Sequence, residues 1–406
     1  QRSARWHMTT TIRYLSHPPM TADVVIVGGG VIGAATAFYA ARAGLRPVLV
    51  ERRAAPCTLT TPVATGAFRL QFDNREEWEL VRRSVELFLN FAGITGQQTY
   101  DLSIRRQGYL WLTTNTDAAA RQRALVTQQH EWGQADIEVL TGDEARYRFP
   151  YVGASVVQAR YRAGDGFLDP KALTMGLLSA SRADVVVNCG VSGFRVHAGR
   201  LIGVETAHGF ISTPAAIIAA GPFSGVLAAT AGIATPITTV RRQKVILPDV
   251  PQVPADAPMT IDEDTGAHWR PALHGAYLLH TDPTTAPSPP AEDVCPDHRF
   301  AFSLLDPGSP VAVARVAPFW RDVWERNAAH WIVQAGQYTM TPDHRPLLGP
   351  TTVEGLWLNT GYSGHGIMAG PAGSSHVVAL LTGATPRDQN PFRPDRPFVP
   401  RQFASL

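Results

Sequence analysis

Val24, Val25, Ile26 and Val27 form an unbroken β-branched run, the pattern of a strand buried on both faces. The run passes directly into glycines. A helical pattern then spans 31–42 and stops near Gly44, where a C-cap belongs. Residues 47–50 predict a second buried strand, with Pro47 tolerable at its first position. Farther on, Trp78, Val81, Val85, Phe88 and Leu89 recur at helical spacing and predict an amphipathic helix over 74–91. Residues 102–114 alternate as a hairpin would, with Gly108 the weak point, and 118–133 has helical composition. Short strands are predicted at 185–187, 194–196 and 201–204, and 214–220 is a buried strand ending on Gly221. Residues 244–247 and 276–279 are strand-like, and 282–296, with five prolines, reads as a mobile surface loop.

The 406 residues are 45% hydrophobic and 17% charged, which excludes a disordered chain and allows two or three domains. A net charge of +2 provides no basis for a nucleic-acid partner. No apolar run exceeds the length of a buried strand, so no integral membrane segment is expected. Cys57, Cys189 and Cys295 are widely scattered, which excludes a disulfide framework, a zinc site and a dithiol pair, and fits a reducing, cytoplasmic compartment. No apolar core follows Arg2, Arg5 and His7 before Pro18, so a secretory signal is not expected. Met8 and Met20 are possible starts, and residues 1–20 are set aside as a tail.

The glycines between the first strand and helix carry the clearest chemistry. Gly28, Gly30 and Gly33 complete G-x-G-x-x-G. Gly28 permits a tight turn, Gly30 lets the backbone approach a pyrophosphate, and Gly33 lets helix and strand pack. The helix start at Val31 and Ile32 then offers free amides and a positive dipole end to that phosphate. Glu51 closes the second strand, where its carboxylate can accept from a ribose hydroxyl, with Arg52 following. The bland reading is a glycine-rich turn and a surface glutamate. Strand, glycines, helix, strand and acid in that order favour a dinucleotide.

The chain resembles the D-amino-acid oxidase/glycine oxidase/sarcosine oxidase family. The resemblance rests on this fingerprint and on five further blocks: 60–69, from Thr60 and Thr61 through Thr65 and Gly66 to Arg69; Gly166–Pro170; 217–224, with Ala220 and Gly221; Val240–Lys244; and 338–349 followed by Gly361–Pro371. It implies an α/β fold, α+β overall, in which a Rossmann-type FAD-binding domain is interleaved with a mixed antiparallel-sheet substrate domain. The expected pieces are 21–95, 151–235 and 336–390 for the first domain and 96–150 and 236–335 for the second, with a C-terminal tail at 391–406. FAD is the implied cofactor, with Val191, Gly364, His365, Gly366, Ile367 and Met368 added to its site. The glycine turn before the helix at 369–381 would aim amides at a developing negative charge on the flavin; the bland reading is an ordinary helix N-terminus.

Arg69 follows a glycine turn in an apolar stretch, where a guanidinium can pair bidentately with a substrate carboxylate. The alternative is a structural ion pair with Asp73, Glu76 or Glu77. Tyr277 could donate to a carboxylate or simply pack across strands, and lies on the opposite strand face from His280. His365 could set its ring beside the flavin or contribute only its backbone. Two departures from the family stand out. No cysteine lies near Gly336 and Gln337, so FAD is expected to be non-covalent. Met368 replaces a lysine of some relatives, which points away from sarcosine and towards a less polar or larger substrate.

The implied reaction is oxidation of the C–N bond of an amino acid or a secondary or tertiary amine acid, by hydride transfer to flavin N5. Oxygen, a carrier protein or a quinone would be the acceptor. Alternatives are oxidation of a 2-hydroxy acid and a flavin-binding subunit without turnover. An NAD(P)H-using flavoprotein would need a second fingerprint, and a disulfide reductase a cysteine pair; neither is present.

Overall fold

The computed structural model describes residues 11–326 and 330–399. Its first layer is a seven-stranded sheet in the order Arg13–Tyr14, Asp184–Val186, Pro47–Val50, Val24–Val27, Ala216–Ile218, Leu356–Thr360 and Leu347–Pro350. Every neighbouring pair is parallel except the last. Strand alternation divides the core in two. Val24 and Ile26 face the helices Val31–Arg42, Pro170–Ser181 and Gly366–Leu381. Val25 and Val27 face the three-stranded sheet of Val191–His197, Arg200–Thr206 and Gly209–Ser212.

The second layer is an eight-stranded sheet in the order Ile332–Met340, Thr238–Leu247, Gly275–His280, Ala267–Ala272, Met259–Asp262, Tyr109–Thr113, Gln158–Arg162 and Glu138–Thr141. It is antiparallel throughout except where Met259–Asp262 meets Tyr109–Thr113. One face packs Val245, Trp269 and Leu278 under the helices Arg299–Leu305 and Phe319–Glu325. The other face turns towards the first layer. There Tyr109, Trp111, Met259 and Ile261 meet Ala67, and Arg270 donates to the Thr65 carbonyl at 2.7 and 3.0 Å. The architecture is the expected α/β one, a Rossmann-type parallel sheet interleaved with a mixed, mainly antiparallel sheet.

Several local expectations change. Within 102–114 only Tyr109–Thr113 is a strand, and its partners are distant in sequence rather than across a local turn. Gly108 sits at φ +88°, with the Tyr161 ring where a Cβ would be. The amphipathic helix ends at Leu89 and a separate helix, Phe91–Thr95, follows. Arg13 and Tyr14 extend the parallel sheet, so the described chain is structured before residue 21, while residues 1–10, with Met8, lie outside the described residues. Gln158–Arg162 and Ile332–Met340 both pair within the eight-stranded sheet. In the segment after 391, Arg396 is buried and paired with Asp343 at 2.8 Å.

The proline-rich segment 282–296 is fastened rather than loose. Gln337 donates to Ser288 Oγ and the Pro289 carbonyl and accepts from the Ala291 amide. Glu292 pairs with both Arg52 and Arg53.

Candidate cofactor and substrate site

A cleft of about 350 Å³ starts at the C-terminal ends of the parallel strands and runs to the eight-stranded sheet. Gly28, Gly30, Val31, Ile32, Glu51 and Arg52 line one end. Thr60, Thr61, Val191, Ala220 and Gly221 continue the wall, and Gly364, Gly366 and Ile367 line the helix start. The geometry demands glycine at two points. A Cβ on Gly33 would lie 1.8 Å from the Gly28 carbonyl oxygen, and one on Gly28 would lie 2.6 Å from that of Ala219. Glu51 accepts from the Gly29 amide at 2.6 Å and the Arg53 amide at 2.8 Å, which holds the glycine turn against the second strand. Thr61 Oγ1 accepts from the Val31 amide at 3.3 Å. Arg52 stacks on Phe223, 3.6 Å from the ring centre, and so walls this end with a flat surface.

At the other end a buried hydrogen-bond network sets the second helix start. Asn359 donates to Thr36 Oγ1 at 2.9 Å and Ser374 Oγ at 3.0 Å, while Tyr362 donates to Asn359 Oδ1. One asparagine thereby ties both helices to the strand Leu356–Thr360. Thr360 Oγ1 lines the cleft and is buried without a partner. A polar atom in that state calls for a ligand that can bond to it. Two helix N-termini, a glycine cradle and an orphaned hydroxyl along one elongated cleft fit a dinucleotide with a polar ring system.

The chain belongs to the FAD-dependent oxidoreductase family. The family model, described as FAD dependent oxidoreductase, matches residues 23–380. FAD-dependent oxidoreductase domain-containing protein 1 of Bos taurus is 27% identical, over 90% of this chain and 82% of its own length. Glycine oxidase of Pseudomonas putida is 28% identical, over 93% of this chain and 99% of its own. The solved structure of L-proline dehydrogenase from P. horikoshii shares the fold, with a TM-score of 0.80 at 24% identity over 93% and 98% of the two chains. FAD is therefore the cofactor, and the chain is an enzyme.

Not every expected residue lines the cleft. Gly33 packs beneath the turn, Met368 is buried in its helix, and Thr65 and Gly66 support from behind, Thr65 through its carbonyl to Arg270. Arg69 and His365 come together, both buried: Arg69 Nη2 lies 3.2 Å from His365 Nε2. His365 Nδ1 bonds Glu77, one of the three carboxylates weighed as a structural partner for Arg69. Asn74 braces Glu77 at both its amide and its carboxylate. The imidazole therefore has each nitrogen engaged, with Nδ1–H donated to a carboxylate and Nε2 accepting from a guanidinium. Arg69 also donates to the Gln71 carbonyl and lies over Phe72, 4.4 Å from the ring centre. Glu77 was legible in retrospect, since it stands one turn before Val81 on the buried stripe that continues through Ser84 and Phe88.

Tyr277 belongs to a different group. Arg270 and Lys244 each hold their charge 4.6 Å from the centre of its ring. Burial draws Arg270 down to about 10 and Lys244 down to about 8, with Arg270's charge adding to the effect on Lys244. Sequence reasoning missed both cations as site residues. A lysine at an inward position of a buried strand was the available signal. Cys57 and Cys189 lie at the glycine end of the cleft, where their amides donate to the Gly29 and Glu51 carbonyls at 2.9 Å. Among the described residues no helix is long and apolar enough to cross a membrane.

Proposed function

We propose that this protein oxidises the C–N bond of an amino acid or of a secondary or tertiary amine acid. The observation that carries this reading is Arg270. It is buried, three of its N–H groups donate to main-chain carbonyls, and no carboxylate pairs with it among the described residues. A buried guanidinium without a carboxylate is costly unless a bound anion offsets it. A substrate carboxylate supplies that anion and orients the carbon bearing the nitrogen. FAD, when bound, supplies the two-electron acceptor for the hydride from that carbon. A protonated nitrogen first gives up its proton; loss of hydride leaves an iminium ion, which water hydrolyses to a carbonyl compound and an amine.

In this reading Arg270 replaces Arg69 as the carboxylate anchor. Arg69, held by Gln71 and His365, becomes a positioning residue that fixes the histidine before the second helix start. With both nitrogens of His365 engaged, orientation and electrostatics carry the rate gain instead of a dedicated base. The expectation of non-covalent FAD stands as part of the proposal. The cleft's two cysteines sit at its glycine end, and no cysteine adjoins Gly336 and Gln337.

The test is anaerobic mixing of the FAD-loaded enzyme with amino acids, N-alkyl amino acids, 2-hydroxy acids and NADPH. Bleaching of the flavin band by amine acids supports the reading; bleaching only by NADPH or 2-hydroxy acids overturns it. Arg270→Ala should raise KM by about 10- to 100-fold, the worth of a lost charged hydrogen-bond pair. A larger rise in Arg69→Ala would return the anchor to Arg69.

A further inference from the structure

Beside the cofactor cleft lies a second, smaller cavity. Lys244 and Arg242 wall it from the strand Thr238–Leu247, opposite Thr60, Ala64 and Tyr338, three residues that also line the cleft. At about 20 Å³ it has room for a carboxylate oxygen.

Neither cation on its wall forms an ion pair with a carboxylate among the described residues. Lys244 is 3% exposed, and its ammonium has no hydrogen bond or ion pair among the described residues; it lies over the face of Tyr277. Arg242 Nε is buried without a partner, and its guanidinium lies 5.9 Å from the centre of the Tyr338 ring. Arg270 stands on the same Tyr277 ring as Lys244, so a monocarboxylate held by Arg270 would leave the Lys244 ammonium without a carboxylate partner.

We propose that the substrate carries two acidic groups, one held by Arg270 and the second seated in the Lys244–Arg242 cavity. The class is a 2-amino dicarboxylic acid or an amino acid with an N-carboxyalkyl arm. The assignment rests on the C–N oxidation reading above. It departs from the less polar substrate inferred from Met368, whose side chain is buried within its helix.

The test uses binding, so it does not depend on turnover. The FAD-loaded enzyme is titrated with thiodiacetate and with methylthioacetate, sulfur analogues that carry two carboxylates and one, and the shift of the flavin spectrum is followed. Thiodiacetate is expected to bind at least about tenfold tighter, the worth of one charged hydrogen bond. Lys244→Met should abolish that preference. Arg242→Gln, at a half-exposed position, is the second variant if Lys244→Met loses FAD. Equal affinities in the wild type, a preference that survives both substitutions, or no shift with either compound overturns the proposal. The C–N oxidation reading fails separately, if no amine acid with one or two carboxylates bleaches the flavin.

Discussion

Among single side chains, Lys244 makes the sharpest statement about pH. Its folded-state pKa, about 8, lies below the ordinary lysine value of 10.5, chiefly through burial, then through Arg270 and Lys171, with Asp169 opposing. Between those values the unfolded chain binds more protons than the folded one, so stability rises with pH across that window. Below pH 8 the ligand-free protein carries the whole cost, about 3 kcal/mol from the size of the shift. Lys244→Met should therefore unfold at a higher temperature than wild type at pH 7, with the gap closing towards pH 10.5. A gap that stays constant across that range would mean the ammonium is compensated. Legibility at this level was uneven. The glycines, Glu51 and Arg52 could be read because the fingerprint is local. Lys244, Arg270 and Glu77 could not be grouped into sites, because their partners come from strands and helices far away in the chain.

The segment 282–296 shows the same limit for whole elements. Its prolines signalled a loop correctly, but its anchors, Thr239, Gln337, Arg52 and Arg53, lie some 40 to 240 residues away, and composition cannot reveal them. The segment straps the substrate sheet to the arginines that wall the glycine end of the cleft. Glu292 fastens it to the glycine end, pairing with Arg52 while Arg52 stacks on Phe223. The ion pairs are partly exposed, so each is worth only about 0.2–1 kcal/mol. Glu292→Gln is thus expected to speed FAD dissociation about two- to tenfold with little change in folding stability. The rate of flavin fluorescence recovery after dilution reads this directly, and an unchanged rate would show that the strap does not retain the cofactor. The hairpin expected at 102–114 failed for a related reason: Tyr109–Thr113 alternates like a hairpin strand, but both its partners are non-local.

Across the whole molecule the cleft is assembled from six separated stretches of chain, from Val27 to Ile367. Both sheets contribute to it, and Asn359 joins two helices beneath it. Such a cavity couples cofactor binding to global stability, because FAD binds the folded chain and not the unfolded one. The overall architecture was legible because the order of blocks reflects that interleaving. The sheet edges were less so, since Gln158–Arg162 and Ile332–Met340 cross over to the substrate sheet without any change in composition. Two measurements follow. Acid precipitation should leave a colourless pellet and a yellow supernatant, because no cysteine lies near Gly336 and Gln337; a yellow pellet would mean a covalent link. The melting temperature should also climb with added FAD, with stabilisation of about 4 kcal/mol when free FAD is a thousandfold above Kd. A melting temperature indifferent to FAD, in protein shown to bind it, would mean that FAD binds equally well before and after the transition, so that the cleft does not melt with the cooperative fold.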